Sequence, residues 1–92
     1  MRYKKLQFSG HAITKMFKRS IHVEDIILIL ENGKRIKEYP EDKPYPSFLV
    51  LGFINDRPLH IVALMDNNEN CYIITAYEPE AKLWNENYTN KI

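Results

Sequence analysis

Three apolar segments between Ser47 and Tyr77 predict three consecutive strands. Phe48 to Ile54 is almost unbroken apolar sequence, which is typical of a strand covered on both faces, and we predict a strand over Ser47 to Ile54. Two further strand-like segments, Leu59 to Met65 and Cys71 to Tyr77, follow it. The intervening segments Asn55-Asp56 and Asp66 to Asn70 carry the Asn and Asp residues that hairpin turns favour. We therefore predict a three-stranded antiparallel meander.

Alternation within these strands assigns side chains to the two faces of the sheet. His60 is in phase with apolar neighbours in the second strand. In the third strand, alternation places Thr75 and Tyr77 on one face together with Cys71 and Ile73. We interpret the face that carries Thr75 and Tyr77 as a candidate functional surface.

Two amphipathic helices are predicted before the meander. Ser9 suits the N-cap of a helix that runs to about Lys18, and a second helix spans Val23–Asn32 between a His22 cap and Gly33. Apolar spacing gives each helix a buried side. The predicted buried residues are Ala12, Ile13, Met16 and Phe17 on the first helix, and Val23, Ile26, Ile27, Ile29 and Leu30 on the second, with Leu28 turned outward.

The remaining segments complete an α+β domain. Tyr3 to Phe8 is predicted as an edge strand or an arm, and Arg35 to Tyr39 as a strand. A C-terminal helix is predicted from Glu78-Pro79, because proline suits a first helical turn. We therefore expect one domain over residues 1–92, with two N-terminal helices and a C-terminal helix on an antiparallel sheet that contains the meander.

Composition narrows the class of protein. A chain of 92 residues with 45% hydrophobic content can build one core. No apolar run has the length of a membrane span or a signal peptide, so we expect a cytoplasmic protein without a membrane partner. The single cysteine, Cys71, is expected to be a small buried hydrophobe. Cofactor motifs and zinc-ligand spacings are absent, so no cofactor or metal is expected.

Charge is distributed unevenly along the chain. The first 22 residues contain six Lys and Arg and no acid. Helical spacing places His11, Lys15, Lys18 and Arg19 on one side of the first helix, which we call the basic stripe. An ordinary solvated face is the alternative, but such faces usually mix signs. The stripe therefore favours an anionic partner, with nucleic acid first.

Four segments of the sequence resemble an uncharacterised bacterial domain family related to the BrnT toxins, within the RelE/ParE-like toxin superfamily. They are HAITKMFKRSI, ENGKRIKEYPEDKPYP, LGFINDRPLHIV and IITAYEP. The resemblance implies a RelE-like fold and a toxin that cleaves mRNA without metal, alone or on the ribosome, and that pairs with a cognate antitoxin. Lys15 stands at a position where Arg is more usual, and Ser20 stands at one where Gly is more usual. Lys15 therefore lacks the forked guanidinium group that makes two hydrogen bonds to one phosphate.

The motif residues implied by the resemblance are His11, Arg19, Tyr39, Asp42, His60 and Tyr77. RNA cleavage needs a base, an acid and a cation that holds the phosphate. His11, His60 and Tyr77 are the candidate catalytic residues, and Lys15, Lys18, Arg19, Tyr39 and Asp42 are the candidate residues for binding RNA.

Two alternatives remain open at this stage. His60 lies between apolar neighbours and also suits a structural core histidine, so His11 is the favoured catalyst. The chain could also be a non-catalytic module that binds a protein or RNA on the same fold, with the aromatic residues as core.

Overall fold

A five-stranded mixed sheet with two helices on one face forms the domain. The computed structural model describes all 92 residues. Its elements are β1 (Lys5–Phe8), α1 (Gly10–Lys18), α2 (Val23–Asn32), β2 (Lys34–Tyr39), β3 (Ser47–Ile54), β4 (Arg57–Met65) and β5 (Asn70–Tyr77). The strand order is β1-β5-β4-β3-β2. The α+β class is therefore confirmed.

The predicted meander is present as β3, β4 and β5, which pair antiparallel in sequence order. The sheet as a whole is not antiparallel, because β1 pairs parallel with β5, from Lys5 opposite Asn70 to Phe8 opposite Ile73. This pairing joins segments from opposite ends of the chain. The sequence pattern of β1 does not indicate which strand it pairs with. The prediction of an antiparallel sheet is therefore wrong, and the sheet is mixed.

Both helices begin and end where capping signals place them. The hydroxyl of Ser9 accepts a hydrogen bond from the backbone N–H of Ala12 at 3.0 Å, at the start of α1. The carboxylate of Asp25 accepts one from the N–H of His22 at 2.9 Å, at the start of α2. α1 packs on β5 and α2 packs on β3. Neither helix is long and apolar enough to cross a membrane.

The helices bury a narrower strip than the sequence predicts. Ala12 and Met16 of α1 and Ile26, Ile29 and Leu30 of α2 enter the core against the sheet. Four other residues that were predicted to be buried are exposed on the outer surface: Ile13, Phe17, Val23 and Ile27. Each short helix has contact with the sheet along one side only, so the second half of its apolar arc has no partner within the chain. Leu28 is exposed, as predicted.

A bulge in β5 changes which side chains share a face. Val62 pairs with Thr75, but the next residue, Ala63, pairs with Ile73, which leaves Ile74 without a partner. Cys71 and Ile73 therefore face the helices, whereas Thr75 and Tyr77 lie on the opposite face. The prediction that Thr75 and Tyr77 share a face is confirmed. The prediction that Cys71 and Ile73 share it with them is wrong.

The C-terminal segment forms turns in place of the predicted helix. An isolated bridge joins Trp84 to Lys91, and the backbone of Tyr88 has a positive φ of 59°. The side-chain oxygen of Asn85 accepts a hydrogen bond from the N–H of Thr89 at 3.0 Å. Asparagine side chains that bond to nearby backbone compete with helix formation, which explains why the proline signal at residue 79 starts no helix.

Candidate functional site

A histidine and a tyrosine form a cross-strand pair on the sheet face opposite the helices. His60 of β4 lies directly across from Tyr77 of β5, with their ring centroids 5.3 Å apart. The Nδ1 atom of His60 is 3.2 Å from the hydroxyl of Tyr77, and its Nε2 atom is 2.8 Å from the carbonyl oxygen of Tyr88. His60 has no exposed surface, and Trp84 packs edge-on against its ring at 4.4 Å between centroids.

These contacts decide how the pair shares its protons. A carbonyl oxygen only accepts, so Nε2 of His60 must carry the hydrogen that bonds to Tyr88. In the neutral imidazole Nδ1 is then an acceptor, and the hydroxyl of Tyr77 donates to it. Tyr77 is thus already hydrogen-bonded to a group that can take its proton.

Burial keeps both members of the pair neutral. It lowers the pKa of His60, and the carbonyl of Tyr88, which favours the charged form, opposes this only in part. Burial also raises the pKa of Tyr77, the phenol of Tyr39 adds to the increase, and the guanidinium of Arg19 opposes it. Of these two residues, Arg19 contacts β5 directly, whereas Tyr39 lies three strands from Tyr77 on β2.

Arg19 reaches this site from the C-terminal end of α1. β1 covers β5 only as far as Ile73, which leaves the last part of β5 as a free edge. Nη1 of Arg19 donates to the carbonyl of Ala76 at 2.8 Å and to the hydroxyl of Thr75 at 3.4 Å. Only Nη1 is used in these bonds, so Nε and Nη2 remain available for an anion.

Arg57 fixes the backbone on which Arg19 stands. Its Nη1 and Nη2 donate to the carbonyls of Ser20 at 2.9 Å and Arg19 at 2.6 Å, and its Nε donates to Glu78 at 2.7 Å. A cation at these carbonyls also complements the C-terminal end of the helix dipole. Sequence reasoning missed Arg57, because the Arg-Pro pair stands in a predicted turn and its partners are 21 to 38 residues away.

A surface cleft of about 500 Å³ lies beside the pair. Eight residues line it: Arg19, Arg57, Tyr77, Glu78, Glu80, Leu83, Trp84 and Lys91. Glu78 pairs with Arg57 and Glu80 pairs with Lys82 at 4.0 Å, so Arg19 and Lys91 are the cations of the lining with no acid at salt-bridge distance. A forked guanidinium beside a tyrosine hydroxyl is an arrangement that can bind a phosphate group.

The candidate residues Tyr39 and Asp42 lie at the end of β2 and in the loop that follows it. Tyr39 ends β2 opposite Ser47, and Asp42 in the following loop accepts a hydrogen bond from the hydroxyl of Ser47. Strand register places Tyr39 on the same sheet face as His60 and Tyr77, but neither Tyr39 nor Asp42 lines the cleft.

Arg19 is the one residue of the basic stripe that lines the cleft. His11 and Lys18 are exposed and Lys15 is half-buried, all on α1. His11 precedes Arg19 by eight residues, which is about 12 Å along a helix. α1 packs on one face of the sheet and His60 lies on the other, so the structure does not bring His11 and His60 together.

Comparison with known proteins places the chain in a family. A family model described as a domain of unknown function, DUF4258, matches residues 8–78, more than three quarters of the chain. The chain belongs to this family. No curated protein and no solved structure matches it, so these comparisons give no support to the expected relationship to the BrnT and RelE-like toxins. The matched part of this DUF4258 domain contains Arg19, His60 and Tyr77, whereas Trp84 and Tyr88, which enclose His60, lie beyond it.

Proposed function

We propose that this DUF4258 domain binds RNA and cleaves it without metal, as a toxin-type endoribonuclease whose site is the cleft beside Tyr77. One observation carries the proposal: the hydrogen-bonded pair of Tyr77 and His60 lies next to the free donors of Arg19. The resemblance to the BrnT-related and RelE/ParE-like toxins points in the same direction. It also implies a cognate antitoxin and, as substrate, free RNA or RNA on the ribosome.

The chemistry follows from the direction of the hydrogen bonds. Arg19 holds the phosphate, which places the ribose 2′-hydroxyl against the hydroxyl of Tyr77. Tyr77 takes the proton of the 2′-hydroxyl while it passes its own proton to Nδ1 of His60. The 2′-oxygen forms a bond to phosphorus, the bond from phosphorus to the 5′-oxygen breaks, and the leaving oxygen takes a proton from water. The products are a 2′,3′-cyclic phosphate and a 5′-hydroxyl.

The directions of both pKa shifts suit this relay. The lowered pKa of His60 leaves Nδ1 free to accept a proton at neutral pH. The raised pKa of Tyr77 keeps its proton in place until a substrate hydroxyl arrives. When His60 becomes charged, its Nε2–H stays bonded to the carbonyl of Tyr88, which favours the imidazolium.

The other residues of the basic stripe have a separate role in this proposal. His11, Lys15 and Lys18 contact the RNA backbone away from the cleft and supply sequence-independent affinity. Tyr39, on the same sheet face but outside the cleft, offers an aromatic face for a base farther along the RNA.

The test is cleavage of single-stranded RNA by the purified chain, with and without ribosomes and in the presence of chelator. Tyr77→Phe removes the hydroxyl and keeps the ring, so we expect the rate to fall by about a hundredfold or more. Tyr72→Phe is the matched control, because Tyr72 lies on the same strand and its hydroxyl bonds to Asp66 at 3.3 Å. A 2′-deoxy substrate lacks the nucleophile and must stay intact. Full activity of Tyr77→Phe would refute the relay.

A non-catalytic RNA-binding or protein-binding module is the second candidate. It is favoured by the burial of His60, since both ring nitrogens are bonded and the ring packs on Trp84, as in a structural histidine. This candidate predicts that RNA binds and is released uncut, and that Arg19→Ala weakens binding while Tyr77→Phe leaves it unchanged.

A further inference from the structure

The outer surface of the helix pair carries an apolar patch that the fold does not use. We call Ile13, Phe17, Val23 and Ile27 the helix patch. Phe17 is 86% exposed, Ile13 44%, Ile27 40% and Val23 37%. The two residues on each helix are four positions apart, so each pair lies on one side of its helix.

Three of the four residues of the helix patch line a groove. Ile13, Phe17 and Val23 line a depression of about 510 Å³ between α1 and α2, together with the buried side chains of Met16 and Ile21. Single exposed apolar residues are normal on protein surfaces, but a contiguous apolar patch with a groove is typical of an interaction site. The patch faces away from the sheet, so the cleft beside Tyr77 remains open when the patch is covered.

The two flanks of the helix patch carry opposite charges. On α1, Lys18 and His11 lie about 100° and 120° around the helix from Phe17, on the side away from the groove. α1 has basic residues in its last turn and no acid in its first. On α2, Glu24 and Glu31 flank the patch, and the last turn has no base. One flank is therefore basic and the other acidic.

We propose that the helix patch is the docking site for a second copy of this chain. A two-fold axis along the groove places α1 of one copy over α2 of the other, because such an axis exchanges the two flanks. Phe17 then enters the partner's groove, and the basic flank of each copy faces the acidic flank of the other, with Lys18 opposite the partner's Glu24. In the dimer His11 and Lys18 are therefore engaged by the second copy, and Lys15, about 160° around the helix from Phe17, stays open to RNA. A partner with charge of only one sign would be repelled by one flank, whereas a second copy complements both.

The first test measures mass against concentration by light scattering or sedimentation equilibrium. We expect the wild-type chain to approach twice its 10.9 kDa mass as concentration rises. Phe17→Asp should raise the dissociation constant of the dimer by about a hundredfold or more, because it truncates an aromatic anchor in both copies and buries charge. Leu28→Asp is the matched control, since Leu28 is 49% exposed on α2 outside this groove. A wild-type chain that stays monomeric, or a dimer unaffected by Phe17→Asp, overturns the proposal.

The second test exchanges charges and reports on symmetry. Lys18→Glu alone places two acids opposite each other at both contacts, and Glu24→Lys alone places two bases opposite each other, so each variant should dimerise weakly. An equimolar mixture restores opposite charges at both contacts and should form a heterodimer of wild-type affinity. All these positions are exposed, so the variants should keep the far-ultraviolet circular dichroism of the wild type. A mixture that associates no better than either variant alone overturns the two-fold arrangement.

Discussion

Gly52 is the position at which α2 lies against β3 with no room for another atom. A Cβ atom placed on Gly52 would lie 2.6 Å from both Cγ1 and Cγ2 of Ile29 and 3.0 Å from its Cβ. Carbon atoms in ordinary contact are about 3.5–4.0 Å apart, so Gly52→Ala requires the helix and the strand to separate by about 1 Å. Ile29 is 2% exposed and is enclosed by the core, so its side chain cannot rotate away.

The expected cost is that of adding a methyl group to a full core. Overpacking of this kind destabilises proteins by about 1–3 kcal/mol. For a domain of this size, a loss of about 2 kcal/mol corresponds to a decrease in Tm of about 8–16 °C. Urea and thermal unfolding followed by circular dichroism would measure both quantities.

The chain supplies a matched glycine and a second-site test. A Cβ on Gly10, in the first turn of α1, meets no atom within 4 Å, so Gly10→Ala should leave stability unchanged or raise it by up to about 1 kcal/mol. Ile29→Ala removes both obstructing carbons, so the double variant with Gly52→Ala should be more stable than the sum of the two single losses indicates. A Gly52→Ala protein as stable as the wild type, or strict additivity in the double variant, would refute the packing described for α2.

Three further predictions concern the pair, its support and RNA. The pKa of His60 is lowered from 6.5, so below pH 6.5 the unfolded chain binds a proton that the folded chain does not. The free energy of unfolding should therefore fall as pH falls, until His60 titrates in the folded state. His60→Gln should flatten this pH dependence in urea titrations, and an unchanged slope would contradict the prediction. Arg57→Ala should lower the free energy of unfolding by about 1–2 kcal/mol, because it removes the hydrogen bonds to the carbonyls at the end of α1. Lys4→Ala, which breaks an exposed ion pair with Glu69 at 3.8 Å, should leave the free energy of unfolding almost unchanged. Equal decreases in the two variants would show that Arg57 does not hold α1. RNA affinity should fall steeply as salt concentration rises, and Lys15→Ala should reduce the slope of log affinity against log salt by about one unit if Lys15 contacts one phosphate. Affinity independent of salt would exclude the basic stripe as an RNA surface.

Features set by neighbouring residues could be predicted from the sequence. The two helices begin after Ser9 and His22 because capping groups act over three or four residues, and β3 to β5 follow from short apolar runs between Asn-rich turns. Features set by distant partners could not. The parallel pairing of β1 with β5, and the packing of the C-terminal turns on His60, depend on contacts that no local pattern encodes.

The same division applies to the candidate site. Strand alternation and the family resemblance indicated His60, Tyr77 and Arg19 as separate candidate residues. Their arrangement was not predictable, because the bulge at Ile74 determines which way Tyr77 points and the short β1 leaves the edge that Arg19 occupies. Arg57 had no signal in the sequence, since its role depends on carbonyl groups at the far end of α1.

The edges of the sheet resist growth by strand addition. β1 has only four residues and begins at a lysine, and the exposed end of β5 has its Ala76 carbonyl bonded to Arg19. At the other edge β2 is irregular around Ile36 and carries three cations among its first four residues. Short, irregular and charged edges are poor templates for another chain. Growth of fibrils by addition of strands at the sheet edges is therefore disfavoured, even at high protein concentration.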